Sequence, residues 1–345
     1  MITFDDVGSY PLPGYISKNW ITGAIKTGDK RSFDIIGDAM CQKIDAGVNV
    51  PTYPQFRDMN KQFLEIINNE SMTEEPMLVR RENARITELG MLEDIGKEYR
   101  KKTGNVLNVR VCVTGPIELY TTQFGGTSYE DVLDIFATDV DRFIANSIDN
   151  AKNFRVATVS IDEPSIGINP QIMFGEDAII DSLERASKTA HSHKIDTEIH
   201  LHSPLHYGLI CKTKSIGIIG VESAATPSYL DLIDKKDLEE YDKFLRVGVA
   251  RTDIFGMVTT LNERYDTNTW KDPYRLEEIV THVEIPGIIE KRLDKCYKIF
   301  GDRIKYAGPD CGLGAWPNQG LAFGLLKNTS IGIKNFLKNN VECCK

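Results

Sequence analysis

Several features are missing from this sequence, and each absence excludes a class of protein. No segment approaches 18 uninterrupted apolar residues, and the opening stretch, MITFDDVGSYPLPGY, has no basic start followed by an apolar run. A membrane-spanning helix and a secretory signal are therefore not expected. The 41 Lys and Arg residues are scattered and are outnumbered by 50 Asp and Glu, which disfavours a nucleic-acid partner. We expect a cytoplasmic protein with neither membrane nor nucleic-acid partners.

The cysteines lack the spacing of a disulfide framework or of a local zinc motif. There are seven of them, an odd number, and no two form a CxxC pair. Such usage is typical of a reducing compartment, where free thiols fill the core or bind metal. We expect Cys343 and Cys344, in the tail NNVECCK, to be an exposed pair without function.

The chain also lacks low-complexity tracts, internal repeats and any Gly/Ser/Pro linker, so residues 1–345 are predicted to form a single domain. Strand-like and helix-like patterns alternate along it, with helices expected near 31–47, 78–103, 129–153 and 176–193. Eight strand candidates start near residues 2, 48, 107, 156, 197, 216, 245 and 303. This alternation predicts an α/β fold of the (β/α)8 TIM-barrel type, with the active site at the carboxyl ends of the strands.

One segment departs from the alternation. Residues 255–278, FGMVTTLNERYDTNTWKDPYRLEE, form a long polar excursion after the seventh strand candidate. In a barrel this insertion could lie over the mouth as a lid, and a surface loop without a role is the alternative.

Reactive residue types occur where strand candidates end. These positions are Ser9, Gln55, Asp162, Glu163, His202, Glu222 and Cys311. In a barrel all such ends converge on one face, so residues about 300 positions apart can share a pocket.

The segment DTEIHLHSPLHYG contains three of the six histidines, of which His200 and His202 point to the same face of a strand. A buried structural histidine is the ordinary role for either one alone, and a buried free thiol is the alternative for Cys311 alone. Together, however, the imidazole of His202, the carboxylate of Glu222 and the thiolate of Cys311 are suitable ligands for zinc.

The motif SIDEP places two acids next to each other at a strand end. Because neighbouring side chains point to opposite faces, one acid can face the pocket while the other forms an ion pair outward. Asp162 is interpreted as the acceptor for a substrate ammonium group, and a structural ion pair is the alternative.

The motifs VGSYPLP, FRDM, GPI, SIDEPSIG, IHLH, GVES and GPDCGL occur in this order over residues 5–335. In order and spacing they resemble the catalytic, C-terminal half of the cobalamin-independent methionine synthases, and most of all the short archaeal type. The resemblance implies a barrel that binds zinc at its mouth and transfers a methyl group to a thiol, most directly homocysteine, to give methionine. It implies zinc ligands at His202, Glu222 and Cys311, an amino-acid carboxylate site at Ser9, and amino-group contacts from Gln55 and Asp162, with Asp162 the catalytic candidate.

The chain departs from the family at one ligand. Where the family has His-x-Cys, this sequence has His202-Ser203-Pro204, and proline cannot bind zinc. The fourth position is then open to water, to substrate or to His206, and more remotely to Cys211. His200 is expected to be a supporting neighbour rather than a ligand.

The resemblance also bears on the methyl donor. Phe255 stands where the long enzymes carry a proton-donating histidine, and their folate contacts lack clear equivalents. A methylcorrinoid, either methylcobalamin or a methylated corrinoid protein, is therefore expected in preference to folate. Two alternatives stay open: another thiol acceptor such as coenzyme M, as in the related uroporphyrinogen-decarboxylase-like methyltransferases, or a barrel that binds a thiol or a corrinoid protein without turnover.

Overall fold

The structure is a computed structural model that describes residues 2–342, so Cys343 and Cys344 lie outside the described residues. Its strands are β1 Thr3–Phe4, β2 Thr73–Glu75, β3 Leu78–Val79, β4 Leu107–Thr114, β5 Phe154–Asp162, β6 Asp196–His200, β7 Ile218–Val221, β8 Phe244–Ala250 and β9 Ile304–Pro309. Its α-helices are α1 Lys18–Thr27, α2 Lys30–Asp45, α3 Lys61–Ile67, α4 Thr87–Thr103, α5 Pro116–Phe124, α6 Glu130–Asp149, α7 Glu176–Ser192, α8 Tyr207–Cys211, α9 Lys235–Glu240, α10 Ile254–Tyr265, α11 Pro273–Glu278, α12 Pro286–Phe300 and α13 Gln319–Glu342. In this part of the chain no helix is both long enough and apolar enough to cross a membrane.

Seven of the strands form one parallel sheet in the order β1-β9-β8-β7-β6-β5-β4. From β4 to β9, strands that are neighbours in the sheet are also consecutive in sequence, and only β1 departs from this order. Helices join the consecutive strands, as parallel strands require a long crossover connection. The register aligns Asp162 with His200 and His200 with Gly220, so the carboxyl ends of β5, β6 and β7 meet at one edge. This confirms an α/β fold with a curled parallel sheet of seven strands, which is consistent with a TIM-like barrel, whereas the predicted eight-stranded closure is not confirmed.

The predicted strand near residue 48 is the exception. Its segment makes isolated parallel bridges, with Val50 opposite Asp5, Gln55 opposite Ser9, and Thr52 opposite Arg110, but forms no regular ladder. Pro51 and Pro54 lie in this segment, and proline has no amide proton to donate to a ladder. The segment still touches both edges of the sheet, since Asp5 follows β1 and Arg110 belongs to β4.

A buried lysine stabilises the irregular segment at residues 50–55 by hydrogen bonds. The Nζ atom of Lys43, from α2, donates to the carbonyl oxygens of Gly8 at 2.9 Å and Thr52 at 3.0 Å, and lies 2.7 Å from a carboxylate oxygen of Asp6. Burial lowers the pKa of Lys43, and the Asp6 carboxylate opposes that change. The ammonium group thus supplies hydrogen bonds that the proline-containing segment cannot make for itself.

Charged side chains occupy the interior of the curled sheet below the strand ends. Arg110 donates to Asp5 at 2.7 Å and to Glu198 at 2.8 Å, and Arg246 donates to Asp5 at 3.0 Å. All four residues are fully buried. Two cations and two anions cancel, which is the condition under which buried charge is tolerated.

The helices lie where the sequence pattern predicts them except in two places. The helix expected at 78–103 begins only at Thr87, because residues 78–79 instead form a hairpin with β2. The expected polar excursion at 255–278 is mostly helical, comprising α10 and α11. Its helix α10 buries Met257 and Leu261, while Phe255 is 64% exposed, so one face of the helix packs against the core and the exposed face carries an apolar residue.

Candidate metal centre

Four side chains converge at the carboxyl ends of β6, β7 and β9. One ligand atom from each of His200, His202, Glu222 and Cys311 lies within 4.8 Å of every other. The Oε1 atom of Glu222 is 3.4 Å from Nε2 of His200 and 3.6 Å from Nε2 of His202. The Cys311 Sγ atom is 3.7 Å and 4.0 Å from the same two nitrogens. All four groups therefore face one common point.

The backbone explains why they meet. His200 ends β6 and His202 follows two positions later, with the intervening Leu201 buried on the other side. Glu222 directly follows β7, and Cys311 comes two residues after β9. The parallel strands β6, β7 and β9 thus deliver all four side chains to the same edge of the sheet.

Asp310 ties two of these loops together. Its carboxylate accepts the amide protons of Ala224 at 2.8 Å and Ala225 at 2.7 Å, so the loop that carries Glu222 is attached to the residue before Cys311. Burial raises the pKa of Asp310 to about 7, although the two amide donors oppose the change. Asp310 was not predicted from the sequence, where it is only part of the motif GPDCGL.

The four groups alter one another's pKa values. Burial raises the pKa of Glu222 and of Cys311, but His200 and His202 outweigh it and bring both pKa values below their ordinary range. Burial lowers the pKa of His200, but Cys311 and Glu222 raise it well above its usual value. Cys311 also raises the pKa of His202, against burial. The centre therefore stabilises two anions and attracts positive charge, which a metal ion can supply in place of imidazole protons.

The donor set fits a zinc ion. The Oε1 atom of Glu222 is buried and has no hydrogen-bond partner within residues 2–342, although two imidazole nitrogens lie close to it. An unpaired buried carboxylate oxygen is costly unless a cation binds it. Two imidazole nitrogens, one carboxylate oxygen and one thiolate sulfur are ligand types that zinc accepts. The structure thus brings together the predicted His202, Glu222 and Cys311 and adds His200.

His206 does not join this group. Pro204 begins a short 3-10 turn, Pro204–His206, which carries the imidazole of His206 away to line a cavity of about 350 Å³ beside Gly167. His206 is exposed, and Cys211 is buried in α8. The fourth donor is instead His200, which the sequence interpretation treated as a supporting neighbour. The alternating directions of strand side chains were the signal that could have identified it.

Two of the three predicted substrate residues adjoin segments that carry the centre's side chains, and the third, Gln55, pairs with one of them. Ser9 Oγ accepts the amide proton of Gly314 at 3.2 Å, next to the Cys311 loop, and Ser9 pairs with Gln55 in an isolated bridge. Asp162 is aligned with His200 in the sheet register and is 8% exposed. Ser9 follows β1, Asp162 ends β5, and Gln55 lies in the irregular segment between α2 and α3, so the three residues come from three separate segments of the fold.

Cys112 is a neighbour of Asp162 that the sequence did not indicate. Its thiol lies 2.8 Å from Oδ2 of Asp162, while Ser160 donates to Oδ1 at 2.8 Å. Burial and then Asp162 raise the pKa of Cys112 well above its ordinary value, so the thiol stays neutral and donates. Within residues 2–342 no Lys or Arg forms a salt bridge with Asp162, which leaves its charge available to a cationic ligand.

Glu163 corrects one expectation about the SIDEP motif. It was expected to form an ion pair at the surface, but it is fully buried and accepts the amide protons of Ile117 at 2.9 Å and Glu118 at 2.8 Å. These amides begin α5, where unpaired N–H groups and the helix dipole favour an anion. Burial nevertheless raises the pKa of Glu163 well above its ordinary value. Glu163 therefore caps a helix, and Asp162 alone faces the centre.

Comparison with known proteins supports the fold and adds little at the level of sequence. No protein-family profile matches the chain, and no curated protein sequence matches it. A B12-independent methionine synthase from a Shewanella species, solved with selenomethionine, superposes with a TM-score of 0.64 at 16% identity and covers 99% of both chains. The chain shares the fold of that methionine synthase.

Two further solved structures have the same architecture. A methyltransferase from Methanosarcina mazei superposes with a TM-score of 0.57 at 12% identity, covering 97% of this chain and 94% of its own. A provisionally assigned vitamin B12-independent methionine synthase from Listeria monocytogenes superposes with a TM-score of 0.55 at 13% identity, covering 97% and 98%. The methionine-synthase-like fold expected from the motifs is therefore confirmed over nearly the whole chain, and function has to be argued from the site.

Proposed function

We propose that this chain is a zinc-dependent S-methyltransferase that transfers a methyl group to a thiol, with homocysteine as acceptor and methionine as product. The observation that carries the proposal is the convergence of His200, His202, Glu222 and Cys311 at one point of the strand-end face. The methionine-synthase-like fold supports the same conclusion, since the centre lies where such folds build active sites.

The ligand set gives the centre a defined charge. Two neutral imidazoles, one carboxylate and one thiolate carry two negative charges, which balance the two positive charges of Zn²⁺. Zinc held by these four ligands could take a thiol as a fifth, and it would lower the pKa of that thiol, so that the thiolate nucleophile would be available at neutral pH. The chain's part is to hold the ligands, exclude water and orient the acceptor.

Asp162, Ser9 and Gln55 are proposed to orient an amino-acid acceptor. Asp162 presents a carboxylate that forms no salt bridge with Lys or Arg in the described chain, close to the metal ligands, as a substrate ammonium group requires. The Ser9 hydroxyl and backbone follow β1, which pairs with β9, and lie next to the Cys311 loop, where they suit the carboxylate of the same substrate. Binding both charged groups would fix the acceptor sulfur relative to the centre.

One observation favours a second acceptor class. Both oxygens of Asp162 already accept hydrogen bonds, from Cys112 and Ser160. If those bonds satisfy the carboxylate, the acceptor need not carry an amino group, and a thiol such as coenzyme M becomes the candidate. The two acceptors are distinguished by the experiment below.

The donor is proposed to be a methylcorrinoid, delivered as methylcobalamin or by a partner corrinoid protein in the cytoplasm. The support is Phe255, which stands at the start of α10, at the position where the resemblance implies a proton-donating histidine in the long enzymes of the family. Phe255 is 64% exposed and packs against Trp270, with ring centroids 5.4 Å apart. Residues 255–278 remain the candidate lid over this face.

The deciding experiment combines metal analysis with a single-turnover assay. Purified protein should bind one zinc ion per chain and convert homocysteine to methionine with methylcobalamin, detected by mass spectrometry. Cys311→Ser should lose both properties, while His206→Gln, outside the centre, should keep both. Methylation of coenzyme M but not homocysteine would select the second acceptor. Zinc binding without methyl transfer to any thiol, from methylcobalamin or methyltetrahydrofolate, would leave a thiol-binding barrel and reject catalysis.

A further inference from the structure

The two nitrogens of the His200 ring have different surroundings. Nε2 faces the centre, 3.4 Å from Glu222 and 3.7 Å from Cys311. Nδ1 points away from it, is buried, and has no hydrogen-bond partner within residues 2–342. If Nε2 binds a metal through its lone pair, the ring proton must be on Nδ1, and a buried N–H group requires an acceptor.

A carboxylate with one oxygen that accepts no hydrogen bond, that of Glu198, lies on the same face of β6 as His200. Glu198 is two residues before His200 in β6, so both side chains point inward. One oxygen of Glu198 accepts a hydrogen bond from Arg110 at 2.8 Å and lies 4.0 Å from the Arg246 Nε atom. The other oxygen, Oε2, is buried and without a partner in the described chain. Glu198 and His200 thus each carry one buried polar atom without a partner in the described chain, on side chains that point to the same face of β6.

Gly220 leaves space between them. It is the register partner of His200 in β7, and a Cβ atom built on it would lie 2.9 Å from Glu198 Oε1 and 3.4 Å from His200 Nδ1. Both groups therefore border the same small gap, which any side chain at position 220 would fill. Because position 220 carries no Cβ, its side chain does not stand between the two groups, and the Glu198 carboxylate can turn toward the ring or one water can bridge them.

We propose that Glu198 is a positioning residue for His200. It accepts the hydrogen bond of the Nδ1 proton across the gap at Gly220, directly or through one water, and so fixes the tautomer whose Nε2 lone pair faces the metal. Arg110 and Arg246 hold the carboxylate in place from the other side.

The need for such a partner is specific to this chain. A cysteine ligand has no second polar group to satisfy, whereas a histidine ligand does. Because Pro204 replaces the expected cysteine and His200 completes the centre, the structure must provide for His200 Nδ1, and Glu198 with Gly220 provides it. The inference rests on the proposed zinc centre and specifies how one of its ligands is oriented.

Gly220→Ala tests the inference by filling the gap. Because outer partners of metal-bound histidines typically contribute a factor of 10 to 100 in affinity, Gly220→Ala should weaken zinc binding about 10- to 100-fold in competition with a chelator. Gly217→Ala is the matched control, since a Cβ there has no neighbour within 4 Å. The cobalt-substituted protein should change its visible absorption in Gly220→Ala and keep it in Gly217→Ala.

A double-mutant cycle separates this role from general packing. In a protein that already carries His200→Ala, adding Gly220→Ala should cause no further loss of zinc affinity, because the ligand that the gap positions is absent. In the zinc-loaded unmutated protein, ¹⁵N NMR should place the His200 proton on Nδ1, a measurement that needs no variant. Additive losses, unchanged affinity in Gly220→Ala, or a proton on Nε2 would overturn the inference and leave the zinc centre intact. Absence of zinc binding by the unmutated protein would instead overturn the proposed function.

Discussion

The Sγ atom of Cys311 lies 3.7 Å from Nε2 of His200, although 111 positions separate them in sequence. The contact places the last residue of β6 among the predicted ligands. It also bears on the question raised by Pro204, because the strand itself supplies a side chain of a type that can bind metal, where the following loop lacks the expected cysteine.

The first prediction concerns His200 as a ligand. His200→Gln should reduce zinc affinity by at least about 100-fold, because losing a ligand costs more than losing an outer partner of one. X-ray absorption on the unmutated protein should show one sulfur at about 2.3 Å and three nitrogen or oxygen neighbours near 2.0–2.2 Å. The His206→Gln control should leave affinity and spectrum unchanged. Equal losses in the two variants, or two sulfur neighbours from protein, would contradict the assignment.

The second prediction is the pH dependence of metal binding. The pKa values of His200 and His202 are raised by Cys311 and Glu222, against burial, so protons compete for both imidazoles near neutral pH. Zinc affinity should therefore increase as the pH rises, and binding near pH 7 should release protons. Calorimetry in two buffers of different ionisation enthalpy measures that release. Affinity that is independent of pH between 6 and 8 would argue against imidazole ligands.

The third prediction tests Asp162. Asp162→Asn keeps the size and removes the charge, so it should weaken homocysteine binding by about 10-fold or more, as expected for loss of a charge-assisted hydrogen bond of about 1.5 kcal/mol. A thiol without an amino group, such as 2-mercaptoethanol, should be affected little. Isothermal titration of the zinc-loaded protein gives both affinities. Equal weakening for both thiols would assign Asp162 to the shape of the site rather than to ammonium recognition.

The fourth prediction concerns Asp139, far from the centre. Its Oδ1 atom accepts the amide proton of Val79 at 2.8 Å, Oδ2 is buried without a partner in the described chain, and burial raises the pKa of Asp139 to about 7. The folded pKa therefore lies above the unfolded value of about 3.9. The stability that this difference supplies is complete below pH 4 and is lost as the pH rises through 7.

Asp139→Asn should retain the hydrogen bond to Val79 and remove the loss of stability at high pH. That loss is about 1.4 kcal/mol for each unit by which the folded and unfolded pKa values differ. Urea unfolding at pH 5 and pH 8 measures it: the fall in the free energy of unfolding should be smaller in Asp139→Asn than in the unmutated chain. Asp131→Asn, an exposed change on the same helix, is the control and should keep the original pH dependence. Identical pH dependence in all three proteins would show that Asp139 is ionised when folded.

Much of the site could be anticipated from the position of residues relative to strand ends. Ser9, Asp162, His202, Glu222 and Cys311 all follow strand candidates, and parallel strands bring such positions to one edge. The choice between His200 and His206 could not be made in this way. It depends on the turn at Pro204, which carries His206 outward, and on the register that sets His200 beside Gly220.

The sequence by itself determined the alternation of strands and helices, because periods of 2 and 3.6 are local properties of side-chain direction. It also determined which reactive residues follow the strands. Only the tertiary structure decided that residues 50–55 make isolated bridges, that Glu163 caps α5 and that Glu198 and His200 border one gap. These features depend on distances between segments far apart in the chain, and such distances follow from the packing and register of the whole sheet rather than from any local pattern.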